Sequence, residues 1–204
     1  MSRQRNDVVR YKEGHKEEAR DAILKNAAER FRRDGIAAVG VRALMADAGL
    51  THGGFYAHFT SRADLVAAAA EVAAESTIGY FEAVLVAAPD DRKLETLIAT
   101  YLRARHRAHM DLGCAAAALA PEIARESVET RARFAAQTGR LIQLIADLLP
   151  EGGTSEDRNT RAATVFATMM GVLQLMRIET DEVAAERLMR EGRDAAACLA
   201  TRPW

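Results

Sequence analysis

The residue types best suited to metal chemistry lie close together around the segment RHRAHM. His106 and His109 are three residues apart, a spacing that can hold a metal on one helix face, and Cys114 follows five residues later. Arg105 and Arg107 stand beside the histidines, where they would repel a cation, and the chain has no HExxH, GxSxG or P-loop pattern. A helical metal-dependent enzyme is therefore the less favoured interpretation, and we expect no catalytic residue, metal site or cofactor.

A second pattern lies in GLTHGGFYAHFTSRADL, where two glycines stand side by side in the first turn of a short predicted helix. A glycine in a helix interior costs about 1 kcal/mol relative to alanine. We therefore expect Gly53 and Gly54 where the backbone approaches another molecule closely. Thr51 is suited to be the N-cap of this helix, and Phe55 and Phe59, four residues apart, are its predicted buried pair.

The elements that position these residues are predicted to be helices throughout. Alanine, leucine, glutamate and arginine dominate, and apolar residues recur at spacings of three and four, with no run of strands. The sequence therefore predicts an all-α protein with about nine helices. They are expected at about 17–34, 41–48, 51–58, 61–85, 91–109, 115–125, 128–149, 157–178 and 181–200.

Several breaks between these helices have a recognisable chemistry. Gly35 and Gly49 stand where helices are usually terminated, and Ser61 with Asp64 forms a near capping box at the start of the fourth helix. For the end of the helix that begins at residue 115, the sequence leaves two alternatives: Pro121, or the pair Glu126 and Ser127.

Composition indicates a soluble globular protein, with 49% hydrophobic and 28% charged residues. No apolar run approaches the ~20 residues of a membrane span, and residues 1–20 carry no apolar signal-peptide region. We therefore expect no membrane association and a cytoplasmic location. Cys114 and Cys198 form no disulfide framework or CxxC pair, so both are expected to be reduced.

Charge is distributed unevenly between two predicted domains, 1–66 and 67–204. The first holds 12 basic against 9 acidic residues, and the second holds 16 against 20. This asymmetry gives weak support to a nucleic-acid partner for the first domain. The arginines at positions 3, 5 and 10 fit either a disordered tail, which we favour, or an arm in the minor groove of DNA.

Two short helices joined through Gly49 form a helix-turn-helix, whose second helix enters the DNA major groove. The segment VRALMADAGLTHGGFYAHFTSRADL resembles the DNA-binding signature of the TetR family of transcriptional regulators, over about residues 17–66. The resemblance implies an N-terminal three-helix DNA-binding domain followed by a larger helical ligand-binding and dimerisation domain. It further implies a sequence-specific regulator, most often a repressor, that a small-molecule inducer releases from a palindromic operator in double-stranded DNA.

The resemblance also assigns DNA contacts by position. Arg42, Thr51 and His52 would face the groove, Tyr56 and His58 would touch phosphates, and Arg62 would do so from the next helix. Gly40 and Gly54 lack side chains that the family often uses, which places more of the base discrimination on Arg42 and His52. The complete implied set is Arg42, Thr51, His52, Gly53, Gly54, Tyr56, His58 and Arg62.

The second predicted domain contains a segment, residues 164–178, that is close to apolar on every side. Such a helix is expected to be buried all round. In the family that the chain resembles, the last two long helices pair with their copies across a two-fold axis. The resemblance therefore implies a homodimer through about residues 157–200.

The expected inducer site combines methionines and aromatic residues with few charges, which favours a small, largely apolar ligand. Cys114 follows Gly113 at the predicted start of a helix, where the positive end of the helix dipole lowers a thiol pKa. It is predicted to be either an electrophile or oxidant sensor or, as we favour, an inert core residue. The predicted ligand-site residues are Tyr101, His106, Met110, Cys114, Phe134, Met169, Met170 and Gln174.

Overall fold

The computed structural model describes the backbone of residues 3–204 and the side chains of residues 16–204. Within this part of the chain the fold is all-helical, as predicted, with nine α-helices, two short 3₁₀ helices and no strand. No helix among these residues is long and apolar enough to cross a membrane. The α-helices are α1 (Arg3–Asp34), α2 (Val41–Asp47), α3 (Arg62–Ala87), α4 (Lys93–Tyr101), α5 (Ala104–Ala108), α6 (Ala115–Ile123), α7 (Val128–Asp147), α8 (Ser155–Ile178) and α9 (Glu182–Thr201), and the 3₁₀ helices are His52–Ala57 and Asp90–Arg92.

Helix α1 begins at Arg3, well before the predicted start at residue 17. The expected disordered tail is therefore wrong for the backbone from residue 3. The segment contains no proline and several strong helix formers, which lets the helix continue toward the N-terminus. The arginine side chains at positions 3, 5 and 10, for which a minor-groove arm was the alternative, lie outside the described residues.

Two glycines end the helices of the N-terminal part as predicted. Gly35 after α1 has φ +85° and Gly49 after α2 has φ +70°, a region that side chains with a Cβ rarely adopt. Phe55 and Phe59 are the buried pair of the short third helix, with ring centroids 5.6 Å apart. They pack into one continuous core with α1 and α2, including Phe31. This core orients the 3₁₀ helix on the surface.

Helix α3 connects the N-terminal helices to the rest of the chain. Its N-cap is Ser61, whose Oγ accepts a hydrogen bond from the Asp64 amide at 3.0 Å. The Asp64 carboxylate in turn accepts from the amide of Thr60 at 3.0 Å, one residue before the N-cap. The predicted domain boundary between residues 66 and 67 falls inside this helix, so the two-domain division remains a prediction.

The single helix predicted for residues 91–109 is wrong, because the chain leaves the helical path after Tyr101. Leu102 has a non-helical ψ of 76°, Arg103 is extended with ψ 156°, and α5 starts at the following residue. Arg193 of α9 donates through Nε to the Leu102 carbonyl at 2.7 Å. The Tyr101 carbonyl is bound by the imidazole of His106 at 2.6 Å. Side chains thus satisfy carbonyls that a continuous helix would bind through its own amides.

Of the two proposed ends of the sixth helix, Pro121 is incorrect, since it lies inside α6. A proline cannot donate to the carbonyl four residues earlier, here that of Ala117. Gln174 of α8 supplies the missing donor, because its Nε2 bonds the Ala117 carbonyl. The helix ends at Ile123, ahead of the second alternative at residues 126–127.

Helices α8 and α9 pack closely against each other. A Cβ at Gly192 of α9 would lie only 2.5 Å from Val172 of α8, so this glycine permits the approach. The predicted burial of residues 164–178 on every side is wrong for the single chain. One side of α8 is buried, including Phe166, Met169 and Leu173, whereas a stripe on the other side is exposed. The exposed stripe comprises Thr164, Ala167, Gly171, Leu175 and Ile178.

Candidate nucleic-acid interface and ligand cavity

The helix-turn-helix consists of α2, a turn through Gly49, and the 3₁₀ helix His52–Ala57. The turn is closed by two backbone hydrogen bonds, from the Gly49 amide to Ala46 at 3.0 Å and from the Leu50 amide to Met45 at 2.8 Å. The third predicted helix is thus present with nearly the expected bounds, but in the tighter 3₁₀ form. Thr51 has the extended backbone of an N-cap, without a side-chain capping bond.

Most side chains predicted to contact DNA are exposed on this element. Arg42 lies in the first turn of α2, and Thr51 and His52 lie at the start of the 3₁₀ helix. Tyr56 is 76% exposed, which is unusual for a large aromatic residue. The structure therefore leaves these four side chains free to meet a partner.

The two adjacent glycines differ in their surroundings. A Cβ at Gly53 would meet nothing within 4 Å, and one at Gly54 would make ordinary contacts with Met45 at 3.7 Å and Thr51 at 3.8 Å. Neither glycine has a positive φ. Neither packing nor backbone conformation within the chain therefore requires glycine at these two positions. This holds most clearly for Gly53, where a side chain would meet no neighbour.

His58 is half-buried, unlike the other predicted phosphate contacts. Its Nδ1 is buried without a hydrogen-bond partner among the described residues. Burial lowers the pKa of His58, and the positive charges of Lys16 and Arg20 lower it further. A neutral imidazole can still donate one hydrogen bond to a phosphate, but it carries no charge toward DNA.

Arg62, the remaining predicted phosphate contact, already has a partner inside the protein. Its Nη2 donates to the Ile36 carbonyl at 2.6 Å. The same turn between α1 and α2 is held from the other side by Glu122 of α6. The Glu122 carboxylate accepts from the amides of Ile36 at 3.0 Å and Ala37 at 2.9 Å. The sequence analysis missed this contact, because it joins residues far apart in the chain.

Replacing Glu122 with glutamine is expected to loosen this turn. The variant retains one acceptor oxygen but turns an amide NH₂ toward a backbone N–H, so it loses one charge-assisted bond. We expect the free energy of unfolding to fall by about 1–2 kcal/mol. Amide hydrogen exchange should accelerate at Ile36 and Ala37. The control is Glu126→Gln, whose side chain has no hydrogen-bond partner among the residues described; equal exchange in both variants would contradict the assignment.

A cavity of about 310 Å³ opens between α3, the α4–α5 segment and the chain leading into α6. Of the predicted ligand-site residues, only His106 and Cys114 line it. Tyr101 and Met169 are fully buried, and Met110 is 40% exposed. The complete lining is Ser76, Thr77, Tyr80, Phe81, Thr100, Arg103, Arg105, His106, His109, Leu112, Gly113 and Cys114.

The other predicted ligand contacts are engaged elsewhere. Phe134 is buried, Met170 is partly buried against the core, and Gln174 is bound to α6. The sequence analysis missed Tyr80, Phe81 and Arg103, because the wall they form exists only where the chain bends after Tyr101. The one available signal was the basic segment RARHR.

His106 uses both ring nitrogens inside the protein. A carbonyl only accepts, so Nδ1 donates to Tyr101 at 2.6 Å, and Nε2 accepts from the Cys114 amide at 2.9 Å. Burial lowers the pKa of His106 to about 4, although the bond to the Tyr101 carbonyl opposes this. The imidazole is therefore neutral near pH 7.

These contacts also bear on the metal interpretation. His106 has no free ring nitrogen, and His109 is exposed with Nδ1 4.0 Å from Asp111. Across the described part of the chain, no group of three or more His, Cys, Asp or Glu residues is arranged to hold a metal. No observation in this region favours a metal-dependent enzyme.

Cys114 occupies the N-cap position of α6, as predicted from Gly113. The expected lowering of its thiol pKa is wrong in direction. Burial raises the pKa of Cys114, and this outweighs the opposing effects of Tyr101 and of the backbone amides at the helix start. The side chain is only 2% exposed. A neutral, buried thiol is a poor nucleophile, which agrees with the favoured hypothesis that Cys114 is an inert core residue.

Comparison with known proteins agrees with this architecture. Residues 23–69 match the family model described as bacterial regulatory proteins, tetR family. No curated protein is significantly similar in sequence to the chain.

Solved structures share the fold at low sequence identity. A TetR transcriptional regulator from Chloroflexus aurantiacus is 22% identical, with a TM-score of 0.73 over 90% of this chain and 96% of that one. A TetR-family regulator from Streptomyces coelicolor is 20% identical, with a TM-score of 0.71 over 99% and 97%. One from Cytophaga hutchinsonii is 15% identical, with a TM-score of 0.74 over 93% and 98%. The matched segment, residues 23–69, contains the helix-turn-helix and its exposed glycine pair, so this part of the chain is similar to the TetR family of bacterial regulatory proteins.

Proposed function

We propose that the protein is a homodimeric, cytoplasmic repressor that binds a palindromic operator and leaves it when a small molecule occupies the cavity. The match of residues 23–69 to the tetR family model supports DNA-binding transcriptional regulation. The observation that carries the proposal is the exposed start of the 3₁₀ helix, where Gly53 has no neighbour and no unusual φ to account for it. A backbone that meets DNA closely would account for it.

In this proposal the exposed side chains divide into two roles. Arg42 and His52 read base edges, since arginine pairs well with guanine and imidazole can donate or accept. Tyr56 and Arg62 contact phosphates and set the register. Selection of bound fragments from the native genome would identify the operator and the genes beside it.

The direct test is replacement of Gly53 with alanine. Alanine fits the space and the backbone angle, so the free energy of unfolding should rise by about 0.4–1 kcal/mol. Affinity for the selected operator should nevertheless fall at least roughly tenfold, because the new methyl group occupies the DNA side of the interface and costs about 1.4 kcal/mol or more. Thermal unfolding and fluorescence anisotropy with labelled operator measure the two effects.

The matched control is Gly139→Ala, on the exposed side of α7, where a Cβ also meets nothing within 4 Å. It should be as stable as Gly53→Ala and bind the operator like wild type. Unchanged operator affinity in Gly53→Ala would refute the close approach of this backbone to DNA.

A homodimer is supported by the exposed stripe of α8. Leu175 is 51% exposed and Ile178 is 75% exposed, and Val183 at the start of α9 adds a further apolar side chain that is 71% exposed. A second copy that covers this surface would place two helix-turn-helix elements on one DNA molecule. Half-sites of a palindrome are about 34–36 Å apart, one helical turn.

Helix α6 is the proposed link between the cavity and the DNA-binding helices. Cys114 at its N-terminal end lines the cavity, and Glu122 near its C-terminal end holds the turn at Ile36 and Ala37. A ligand that binds better to a shifted α6 would move this turn and α2 with it. Because the Cys114 thiol is buried and protonated, we propose a non-covalent inducer in preference to a thiol-reactive one.

A further inference from the structure

We propose that the cavity binds a small organic anion, specifically a carboxylate carried on an aromatic body. This inference rests on the proposed function, in that it names the chemical class of the inducer. It replaces the expectation of a largely apolar ligand.

The charged side chains of the cavity wall are all basic. Arg103 and Arg105 line the cavity, and no aspartate or glutamate does. Arg103 is half-buried, and its Nε is buried without a hydrogen-bond partner in the described part of the protein. Among the described residues, its only side-chain hydrogen bond runs from Nη2 to the Tyr80 hydroxyl at 2.5 Å. A partly desolvated guanidinium with an unused donor is costly unless an anion binds it.

Two arginines near the cavity arginines or on a neighbouring helix have carboxylate partners. Arg107, two residues beyond Arg105, donates to Glu182 at 2.6 Å. Arg133 of α7 forms two bonds with Glu71 of α3, at 2.6 and 2.7 Å. Arg105 has no ion pair or side-chain hydrogen bond within the described residues. Neither cavity arginine has a carboxylate partner among the described residues, and a ligand carboxylate would fit the fork of a guanidinium.

Two of the other polar groups in the wall, Thr77 and His106, already have hydrogen-bond partners inside the protein. Thr77 donates to the Ala73 carbonyl at 3.0 Å and accepts from the Ala115 amide at 3.2 Å. His106 has both ring nitrogens engaged. The permanent positive charge of the wall comes from Arg103 and Arg105, to which we assign recognition of the ligand anion.

The apolar part of the wall is aromatic. The rings of Tyr80 and Phe81 lie edge to face, with centroids 5.4 Å apart and planes at 71°. Arg103 lies over the Tyr80 ring at 5.4 Å, which places a positive charge beside the aromatic surface. The volume of about 310 Å³ lies at the lower end of the range for ligand cavities. A planar body of one or two rings next to a single carboxylate matches this combination.

The experiment compares two probes of the same shape, naphthalene-2-carboxylate and the neutral naphthalene-2-carboxamide. Calorimetry with the full-length protein should show the carboxylate binding at least roughly tenfold more tightly, as expected for a hydrogen-bonded charge pair. Arg103→Met and Arg105→Met should each lose most of that preference while leaving carboxamide binding within about twofold. The control Arg131→Met, an exposed arginine of α7 outside the cavity, should keep the full preference.

The outcomes separate the ligand class from the regulatory function. Equal affinity for the two probes, binding of neither, or a preference that survives in both cavity variants would overturn the anionic ligand. Arg105 is exposed, so its variant tests the proposal even if Arg103→Met fails to fold. Operator binding by the unliganded protein is measured separately. A protein that binds its operator but not the carboxylate disproves only the ligand class, whereas one that selects no DNA fragment disproves the proposed function.

Discussion

Replacing Gly171 with arginine should convert the proposed dimer to a monomer and lower affinity for a two-half-site operator by at least about 100-fold. Gly171 lies in the middle of the exposed stripe of α8, and a Cβ there meets nothing within 4 Å in the single chain. The new side chain therefore leaves the monomer fold intact and inserts a charge into the proposed interface. The loss is large because two linked half-site contacts become one.

Light scattering with size-exclusion chromatography measures the mass, and anisotropy with labelled operator measures the affinity. Gly139→Arg is the matched control, since it adds the same side chain to an exposed helical glycine of α7, away from the stripe. It should remain dimeric and bind DNA normally. A dimeric Gly171→Arg protein would show that the copies associate through another surface.

Acid is expected to destabilise the protein through His106. Its pKa in the folded protein is about 4, below the ordinary value of 6.5 that it regains on unfolding. The unfolded chain therefore takes up the proton first. The stabilisation is fully present above pH 6.5 and is lost as the pH falls from about 6.5 to 4, amounting to about 3 kcal/mol over that window.

Urea unfolding of wild type and His106→Gln at several pH values tests this. The variant loses contacts with Tyr101 and Cys114, so it should be less stable at pH 7. The difference in the free energy of unfolding between the two proteins should narrow by about 1 kcal/mol per pH unit below 6.5. Only wild type contains the buried imidazole, whose protonation in the unfolded chain favours unfolding. His109→Gln, which alters an exposed imidazole, should follow wild type. A constant difference between wild type and His106→Gln would contradict the assigned pKa.

Local chemistry in the sequence was sufficient for much of the N-terminal part. Positive-φ positions at Gly35 and Gly49, the Ser61 cap and the buried pair of Phe55 and Phe59 all depend on neighbours within a few residues. The spacing of these residues therefore predicted the helix-turn-helix and its bounds. Its 3₁₀ form was not predicted, since the pattern of apolar residues over one short turn does not separate the two helix types.

Contacts between distant residues decided what the sequence analysis missed. The helix break after Tyr101 depends on Arg193, and the tolerance of Pro121 depends on Gln174. Both are side chains that bind backbone carbonyls from other helices. A pattern read along one segment contains no information about such partners.

The sequence by itself determined the all-α class and the helix-turn-helix, because helix periodicity, caps and turn glycines are local properties. Only the tertiary structure decided which side of α8 is exposed, which residues line the cavity, and that the Cys114 pKa is raised. Burial is set by the elements that pack over a residue. The Cys114 thiol shows the difference. Its place at a helix start lowers its pKa, but burial in the surrounding core raises the pKa by a larger amount.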